Sequence, residues 1–256
     1  MNKMHNEYYI SLTSIPSRFK FLNNILDSLV NQNIKPKKIF LHIPYKYRRN
    51  FGDFDLPDVS AYPDVVINRC EDYGSNTKFL PMLHMTEIED TVPIIVVDDD
   101  IFYDSIVSTT LLDLSAKYPN CATCMFGVTN ATFFINNFWD YNLQKTKNTQ
   151  NIYPVGLRGK KEGYIDVFEG FAGTCLQKRF FDNSVFDIPI DDIYFCDDIW
   201  MSGHVIKNGF RIVVTSTNTK NTIFVHNIDA LSCENKRFER NFYTLRLLQD
   251  RYKIFI

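Results

Sequence analysis

The sequence predicts one α/β domain, in which a mixed, mostly parallel central sheet is flanked by helices. Two observations carry that expectation. Short β-type runs alternate with stretches of helical periodicity through the first hundred residues, as they do where crossover helices join parallel strands. The 256 residues, 45% hydrophobic and 15% aromatic, are enough for one large domain around a sizeable core, or at most for two small ones.

Taken in order, Tyr8 to Leu12 reads as the first strand and breaks at Thr13-Ser14-Ile15-Pro16. Phe21, Leu22, Ile25, Leu26, Leu29 and Val30 then recur at helical spacing, which predicts a helix over 18–31 with one buried face. Lys38 to Ile43 is a second strand, closed by Pro44, and Asp64 to Ile67 a third. A helix over about 77–87 precedes a very apolar fourth strand, Val92 to Val97. The second half is less regular. It reads as a helix over 104–117, a strand over 121–128, a polar Asn- and Lys-rich loop over 130–163 and a strand over 164–168. A helix over 197–207, a strand over 212–214 and a terminal helix over 232–252 follow. In that last helix Phe238, Phe242, Leu245 and Tyr252 share a stripe, while Arg237, Arg240, Arg246 and Arg251 lie largely off it. A docked helix is the first reading of this pattern; peripheral membrane contact through the arginines is the second.

The net charge of -2 gives no general attraction to nucleic acid or to an anionic membrane. No stretch approaches the roughly 20 apolar residues of a membrane span. The opening Met1 to Asn6 lacks an apolar signal region, so a cytoplasmic protein with reduced thiols is expected. Of the cysteines at 70, 121, 124, 175, 196 and 233, only Cys121 and Cys124 are close. No second pair completes a zinc site, and the run around them is apolar, so they read as core thiols.

The strongest chemical signal is Ile94-Ile95-Val96-Val97-Asp98-Asp99-Asp100, a buried strand that ends abruptly in three carboxylates. Ligands of open α/β sheets bind beyond the carboxyl ends of strands. Adjacent carboxylates repel one another, and a hard cation relieves that repulsion. On an extended chain Asp98 and Asp100 point one way and Asp99 the other. The competing reading is a solvated turn or a helix cap at Asp100 or Asp104. A second signal is Arg69-Cys70-Glu71-Asp72-Tyr73-Gly74-Ser75-Asn76-Thr77-Lys78, between a strand and a helix, where loop backbone and Lys78 could face an anion and Asp72 a base or ribose; the competing reading is a common loop with a capping residue. A third is Asp197-Asp198 at the start of a helix, readable as a cap with a first-turn acid or as a general base. Glu169-Gly170-Phe171-Ala172-Gly173 allows close backbone approach through its two glycines, and His226 follows an apolar run, readable first as a structural histidine and second as a metal or phosphate ligand.

Together these segments resemble GT-A-type nucleotide-sugar glycosyltransferases, in particular a group of small bacterial and viral enzymes with a DxD motif. The matching residues, in the expected order, are Thr13-Ser14-Ile15-Pro16-Ser17-Arg18, Asp72-Tyr73-Gly74 with Thr77-Lys78, Asp98-Asp99-Asp100, Glu169 to Gly173, and Asp197-Asp198-Ile199-Trp200. The resemblance implies a GT-A, Rossmann-like single domain. Residues 1–100 would form its nucleotide-binding half, 101–215 its acceptor and catalytic half, and 216–256 a C-terminal helix extension. It implies that Thr13, Ser14 and Arg18 line the nucleotide pocket and that Asp72 and Lys78 contact base or phosphates. Asp98, Asp99 and Asp100 would be the DxD element around Mn²⁺ or Mg²⁺, with Asp100 and Asp98 as ligands and His226 completing the shell. Gly170 and Gly173 would border donor sugar and acceptor. Asp198 would be the base of an inverting transfer, with Asp197 in the first position of the acidic pair, where the family has Glu.

The implied partners are a nucleotide-sugar donor, with UDP favoured, and a glycan or lipid-linked acceptor, which would place the protein at the inner membrane face if the acceptor lies there. Two other classes are compatible with the carboxylates: a metal-dependent nucleotidyltransferase or phosphohydrolase, and a non-catalytic carbohydrate-binding protein. No Walker-type sequence supports a P-loop enzyme.

Overall fold

A computed structural model of the chain describes residues 7–49, 51–129, 161–189, 195–223, 229 and 237–255. The predicted loop over 130–163 therefore falls largely outside the described residues, as do His226, Cys233 and the start of the terminal helix.

The main sheet has eight strands: β1 (Tyr9–Thr13), β2 (Lys38–Pro44), β3 (Val65–Cys70), β4 (Ile94–Val96), β6 (Cys121–Cys124), β8 (Gly163–Ile165), β10 (Thr174–Leu176) and β11 (Arg211–Val214). Their order across the sheet is β3-β2-β1-β4-β10-β6-β11-β8. The first four run parallel, with Tyr9 opposite both Lys38 and Ile94. β10 enters antiparallel between β4 and β6, β6 and β11 are parallel, and β8 closes the far edge antiparallel. Two short ribbons, β5 (Ile101–Phe102) with β12 (Thr222–Ile223) and β7 (Gly127–Val128) with β9 (Val167–Phe168), complete the strands.

Side chains alternate between the two faces, as the pleat requires. Ile10, Leu12, Ile39, Leu41, Ile95 and Val97 pack on one face with α1 (Leu22–Val30) and α2 (Val107–Lys117). Tyr9, Phe40, Ile94, Val96, Ile212 and Val214 pack on the other with α3 (Asp197–Lys207) and α4 (Arg237–Tyr252). Each fully buried Leu or Ile contributes on the order of 1.5–3 kcal/mol. α4 lies against α3 at Gly203, where an added Cβ would stand 2.5 Å from Leu248 Cδ1. Leu245 and Leu248 are buried and Arg246 and Arg251 exposed, as expected for a docked helix. Among the described residues no helix is long and apolar enough to cross a membrane.

Several elements differ from the sequence expectation. The segment expected to be helical over 77–87 forms two 3-10 turns, Gly74–Lys78 and Leu80–His84. Pro81 lacks an N–H and disfavours helical geometry at the residue before it, so an α-helix cannot run through. The first helix begins as a 3-10 turn, Pro16–Phe21, before α1 proper. The strand expected over 121–128 breaks after Cys124, where the Met125 N–H turns to donate to Gly173 O at 3.0 Å. The five described cysteines are free and buried, and burial pushes the Cys121 and Cys124 thiols up. Both are core thiols.

Candidate active site

From β1 the chain goes on to β2 on one side, and after β4 it continues toward β6 on the other. The sheet thus has its topological switch point between β1 and β4, the place where open α/β sheets bind ligands. The segments that leave these two strands meet there. Ser14 Oγ donates to Asp99 Oδ2 at 2.5 Å, and Arg18, from the 3-10 turn after β1, reaches Asp99 Oδ1 at 2.6 Å and Asp100 Oδ2 at 3.2 Å. Tyr47 OH donates to Ser14 O at 2.6 Å and holds this loop from the side. Both oxygens of Asp99 are thereby taken by protein donors, and its side chain is buried. Asp98 and Asp100 keep side-chain exposures of 29% and 24%.

Lys78, at the end of the turn that follows β3, joins two distant parts of the chain. Its Nζ lies 2.5 Å from Asp98 Oδ1 and 2.7 Å from Asp197 Oδ2, with the side chain 6% exposed. The acid cluster after β4 and the acid pair that opens α3 are therefore one site, bridged by one ammonium. Burial opposes the Lys78 charge, but Asp197, Asp98 and Asp198 outweigh it and hold the group firmly protonated. For Arg18, too, Asp99 and Asp100 outweigh the burial that opposes its charge.

The acid pair is not a helix cap. Cys196 occupies the N-cap of α3, with no side-chain capping bond. Asp197 turns to Lys78, and Asp198 Oδ1 accepts from Gly170 N–H at 2.9 Å. Burial, then repulsion from Asp197, raises the Asp198 carboxyl well above the ordinary carboxylate range. Gly170 is required by space, since an added Cβ would lie 2.9 Å from Asp198 Oδ1 and 3.4 Å from Lys78 Nζ. Gly173 is required by backbone, at φ +104°.

Tyr103 ties the acid cluster to this glycine segment and carried no sequence signal beyond its place after Ile101-Phe102. Its buried hydroxyl accepts from Asp98 N–H at 2.8 Å and donates to Phe171 O at 2.9 Å. Two candidate residues are occupied in shaping loops. Thr13 Oγ1 donates to His42 O at 2.8 Å. Asp72 accepts from Arg48 N–H at 2.7 Å and from Gly74 N–H at 2.9 Å. Asn76, fully buried on the same turn as Lys78, has no hydrogen-bond partner for either amide atom among the described residues.

Among the described residues, five carboxylates in this site, Asp98, Asp99, Asp100, Asp197 and Asp198, face two cations, Lys78 and Arg18. Burial, then repulsion by Asp98 and Asp99, pushes the Asp100 carboxyl up to about 7. Among the described residues no group of three His, Cys, Asp or Glu side chains is gathered to hold an ion. Two hard, partly exposed oxygen ligands in a site of excess negative charge nevertheless fit Mg²⁺ or Mn²⁺, which take one or two carboxylates and fill their shells with water and phosphate.

No family model matches the sequence, and no curated protein matches it. Among solved structures, the chain is similar to S. aureus TarS 1–349 in complex with UDP-GlcNAc, with a TM-score of 0.58 and 13% identity over 96% of this chain and 66% of that one. The same TarS fragment in complex with UDP aligns with a TM-score of 0.47 and 14% identity over 86% of this chain and 61% of that one. The chain thus spans just under two thirds of the TarS fragment. Its sheet order, crossovers and flanking helices give it the GT-A, Rossmann-like fold.

Proposed function

We propose that the protein is a glycosyltransferase that moves a sugar from a nucleotide-sugar donor, a UDP-sugar, to a hydroxyl of a glycan or lipid-linked acceptor with inversion. The observation that carries this reading is the Lys78 bridge, which puts the carboxylates beyond β4 beside the acid pair of α3 at the sheet's switch point. A transferase needs a site for the leaving diphosphate next to a base for the incoming hydroxyl, and this arrangement supplies both. The complex of the TarS fragment with UDP-GlcNAc supports the choice of donor class.

In this reading Asp198 is the base. Gly170 N–H holds Oδ1, which leaves Oδ2 for the acceptor hydroxyl. Burial and the Asp197 charge raise the proton affinity of Asp198, which strengthens it as a proton acceptor once ionised. Lys78 and Arg18 would meet the charge that grows on the leaving nucleoside diphosphate. Asp100 and Asp98 would hold a divalent cation, Mn²⁺ or Mg²⁺, with His226 as a further candidate ligand; bound there, it would act as a Lewis acid on the diphosphate oxygens. The N-terminal half would carry the nucleotide and the half after residue 100 the acceptor.

The test is a thermal-shift panel of nucleoside diphosphates and nucleotide sugars, each with Mn²⁺, Mg²⁺ or EDTA. A ligand that binds the native state raises its stability by mass action, about 2.7 kcal/mol at one hundred times Kd. A metal-dependent shift with one nucleotide, lost in Asp100→Ala, is expected. No shift with any nucleotide sinks the reading, and turnover of phosphoesters without a sugar acceptor replaces it with a phosphohydrolase.

A further inference from the structure

A row of polar groups, buried at Ser11 and His42 and partly buried at Asn68, runs across the α3 face of the sheet and ends on the backbone of Lys78. Asn68 in β3, His42 in β2 and Ser11 in β1 lie on neighbouring strands, with His42 directly opposite Asn68 in register. Ser11 and His42 have no solvent exposure, and the His42 ring stacks on Phe40 at 6.2 Å.

The direction of every bond in the row follows from its last acceptor. A carbonyl can only accept, so the single Ser11 hydroxyl proton goes to Lys78 O, at 2.6 Å. Ser11 Oγ must then accept from His42 Nε2, at 2.9 Å, and that nitrogen must carry the ring proton. Nδ1 is left as the acceptor, and Asn68 Nδ2 stands 2.9 Å away to donate. Burial holds the ring neutral, with its pKa lowered to about 3, so only one tautomer satisfies all three contacts.

We propose that Asn68, His42 and Ser11 form a positioning relay that fixes the carbonyl of Lys78, and so sets where its ammonium stands between Asp98 and Asp197. The 3-10 turn that carries Lys78 is tied at its start by Asp72 Oδ1, which accepts from Gly74 N–H at 2.9 Å, and by Thr77 Oγ1, which accepts from Tyr73 N–H at 2.9 Å. Ser11 holds its other end, at the carbonyl of Lys78. Ser11 and His42 touch no reacting atom and act through Lys78. The kinetic part of the proposal rests on the transferase reading above; the geometric part does not.

The test has one arm for each. In the first, ¹⁵N NMR of the wild-type chain reads the His42 ring and the Lys78 ammonium, which burial should protect from fast exchange. The relay expects protonation at Nε2 and a Lys78 ¹⁵Nζ resonance that moves or broadens in Ser11→Ala. Protonation at Nδ1, or a Lys78 signal unmoved in that variant, overturns the relay whatever the protein's activity. In the second arm, kcat and donor KM are measured below the melting temperature for Ser11→Ala, His42→Leu, the double variant and His42→Gln. Misplacement on the order of 1 Å costs about 10²-fold in rate. A fall in kcat of up to that size is expected in both single variants. The double variant should be no worse than either, and His42→Gln, which restores a donor toward Ser11, should recover part of the loss. Single variants that melt lower but keep kcat within about twofold would show a purely structural row and overturn the kinetic part. If His42→Leu or Ser11→Ala does not fold, Asn68→Leu at the partly exposed end of the row takes its place, with the same two outcomes. A wild-type chain that turns over no donor sinks the transferase reading alone, because the NMR arm still decides the relay.

Discussion

Two buried histidines should make the fold acid-labile well above the pH at which most carboxylates titrate. His42 sits in the relay, and His204 on α3 lies between Trp200 and Tyr252, with Nε2 buried and without a hydrogen-bond partner among the described residues. Burial lowers both to about 3, and for His204 the nearby Lys207 and Arg251 charges work in the same direction against a weaker opposing pull from Asp182. The unfolded reference is about 6.5. Between these values the unfolded chain binds the proton and the native chain does not, so stability falls as pH drops below 6.5 and the loss levels off near 3. At pH 5 each histidine stands about 1.5 pH units below the unfolded value, which is about 2 kcal/mol each and about 4 kcal/mol together. That is a large part of the roughly 5–15 kcal/mol of a typical domain. The assay is chemical denaturation at pH 7 and pH 5 for the wild type, His42→Gln and His204→Phe. Asp100 and Asp198, raised in the native state, have the opposite pH dependence, so the difference between each variant and the wild type isolates the histidine. Each variant should lose about 2 kcal/mol less than the wild type between the two pH values. An unchanged pH dependence in His42→Gln would refute the assignment of a neutral buried ring there.

Three further outcomes follow from the site. Asp198→Asn keeps the Gly170 contact but cannot take a proton; transfer should fall by about 10²–10⁴-fold with donor affinity in calorimetry nearly unchanged, and full turnover would remove Asp198 as the base. Gly170→Ala drives a methyl onto Asp198 Oδ1 and toward Lys78; a stability loss of about 1–3 kcal/mol with a loss of kcat is expected, and wild-type kinetics would show that the base tolerates displacement. Asn76→Leu replaces a buried amide without partners by an apolar side chain of similar shape; it should leave stability unchanged or raise it by about 1–3 kcal/mol, whereas a clear loss in denaturation would show that the amide has a partner.

The parallel half of the fold was legible because its physics is local. β1, β2 and β4 lie within about two residues of their apolar runs, and α3 begins where the acid pair follows Phe195-Cys196. After β3 the apolar spacing of Phe79, Leu80, Met82 and Leu83 suggests a helix, while Pro81 keeps an α-helix from running through. The carboxylates of the site were visible as types: acids behind a buried strand and acids opening a helix. Their assembly was not. Lys78 meets Asp197 only because the sheet order places the end of β3 and the start of α3 over the same strand ends. The relay was hidden for a related reason. A single Ser, His or Asn in a strand looks like an interruption of the apolar pattern, and only the pairing of three neighbouring strands brings their side chains within hydrogen-bond reach.

If the transferase reading holds, the Lys78 bridge predicts how metal and donor binding depend on each other. Lys78 pairs with Asp98 at 2.5 Å, so a cation held by Asp98 and Asp100 would have to compete with the ammonium for that carboxylate. A donor diphosphate would compete for the same ammonium, and drawing Lys78 away would free Asp98 for the cation. Each ligand would thus remove an obstacle to the other, and by linkage the two affinities would rise by the same factor. Couplings of this kind are typically about 1–3 kcal/mol, roughly 5- to 150-fold. Titration of Mn²⁺ into the protein with and without saturating UDP, followed by its paramagnetic relaxation signal, measures that factor after correction for Mn²⁺ bound by free UDP. Lys78→Met should bind Mn²⁺ more tightly than the wild type when UDP is absent, and should lose most of the coupling. Equal Mn²⁺ affinity with and without UDP in the wild type would mean that Lys78 stays on Asp98 throughout, and that the bridge is a fixed strut rather than an exchangeable contact.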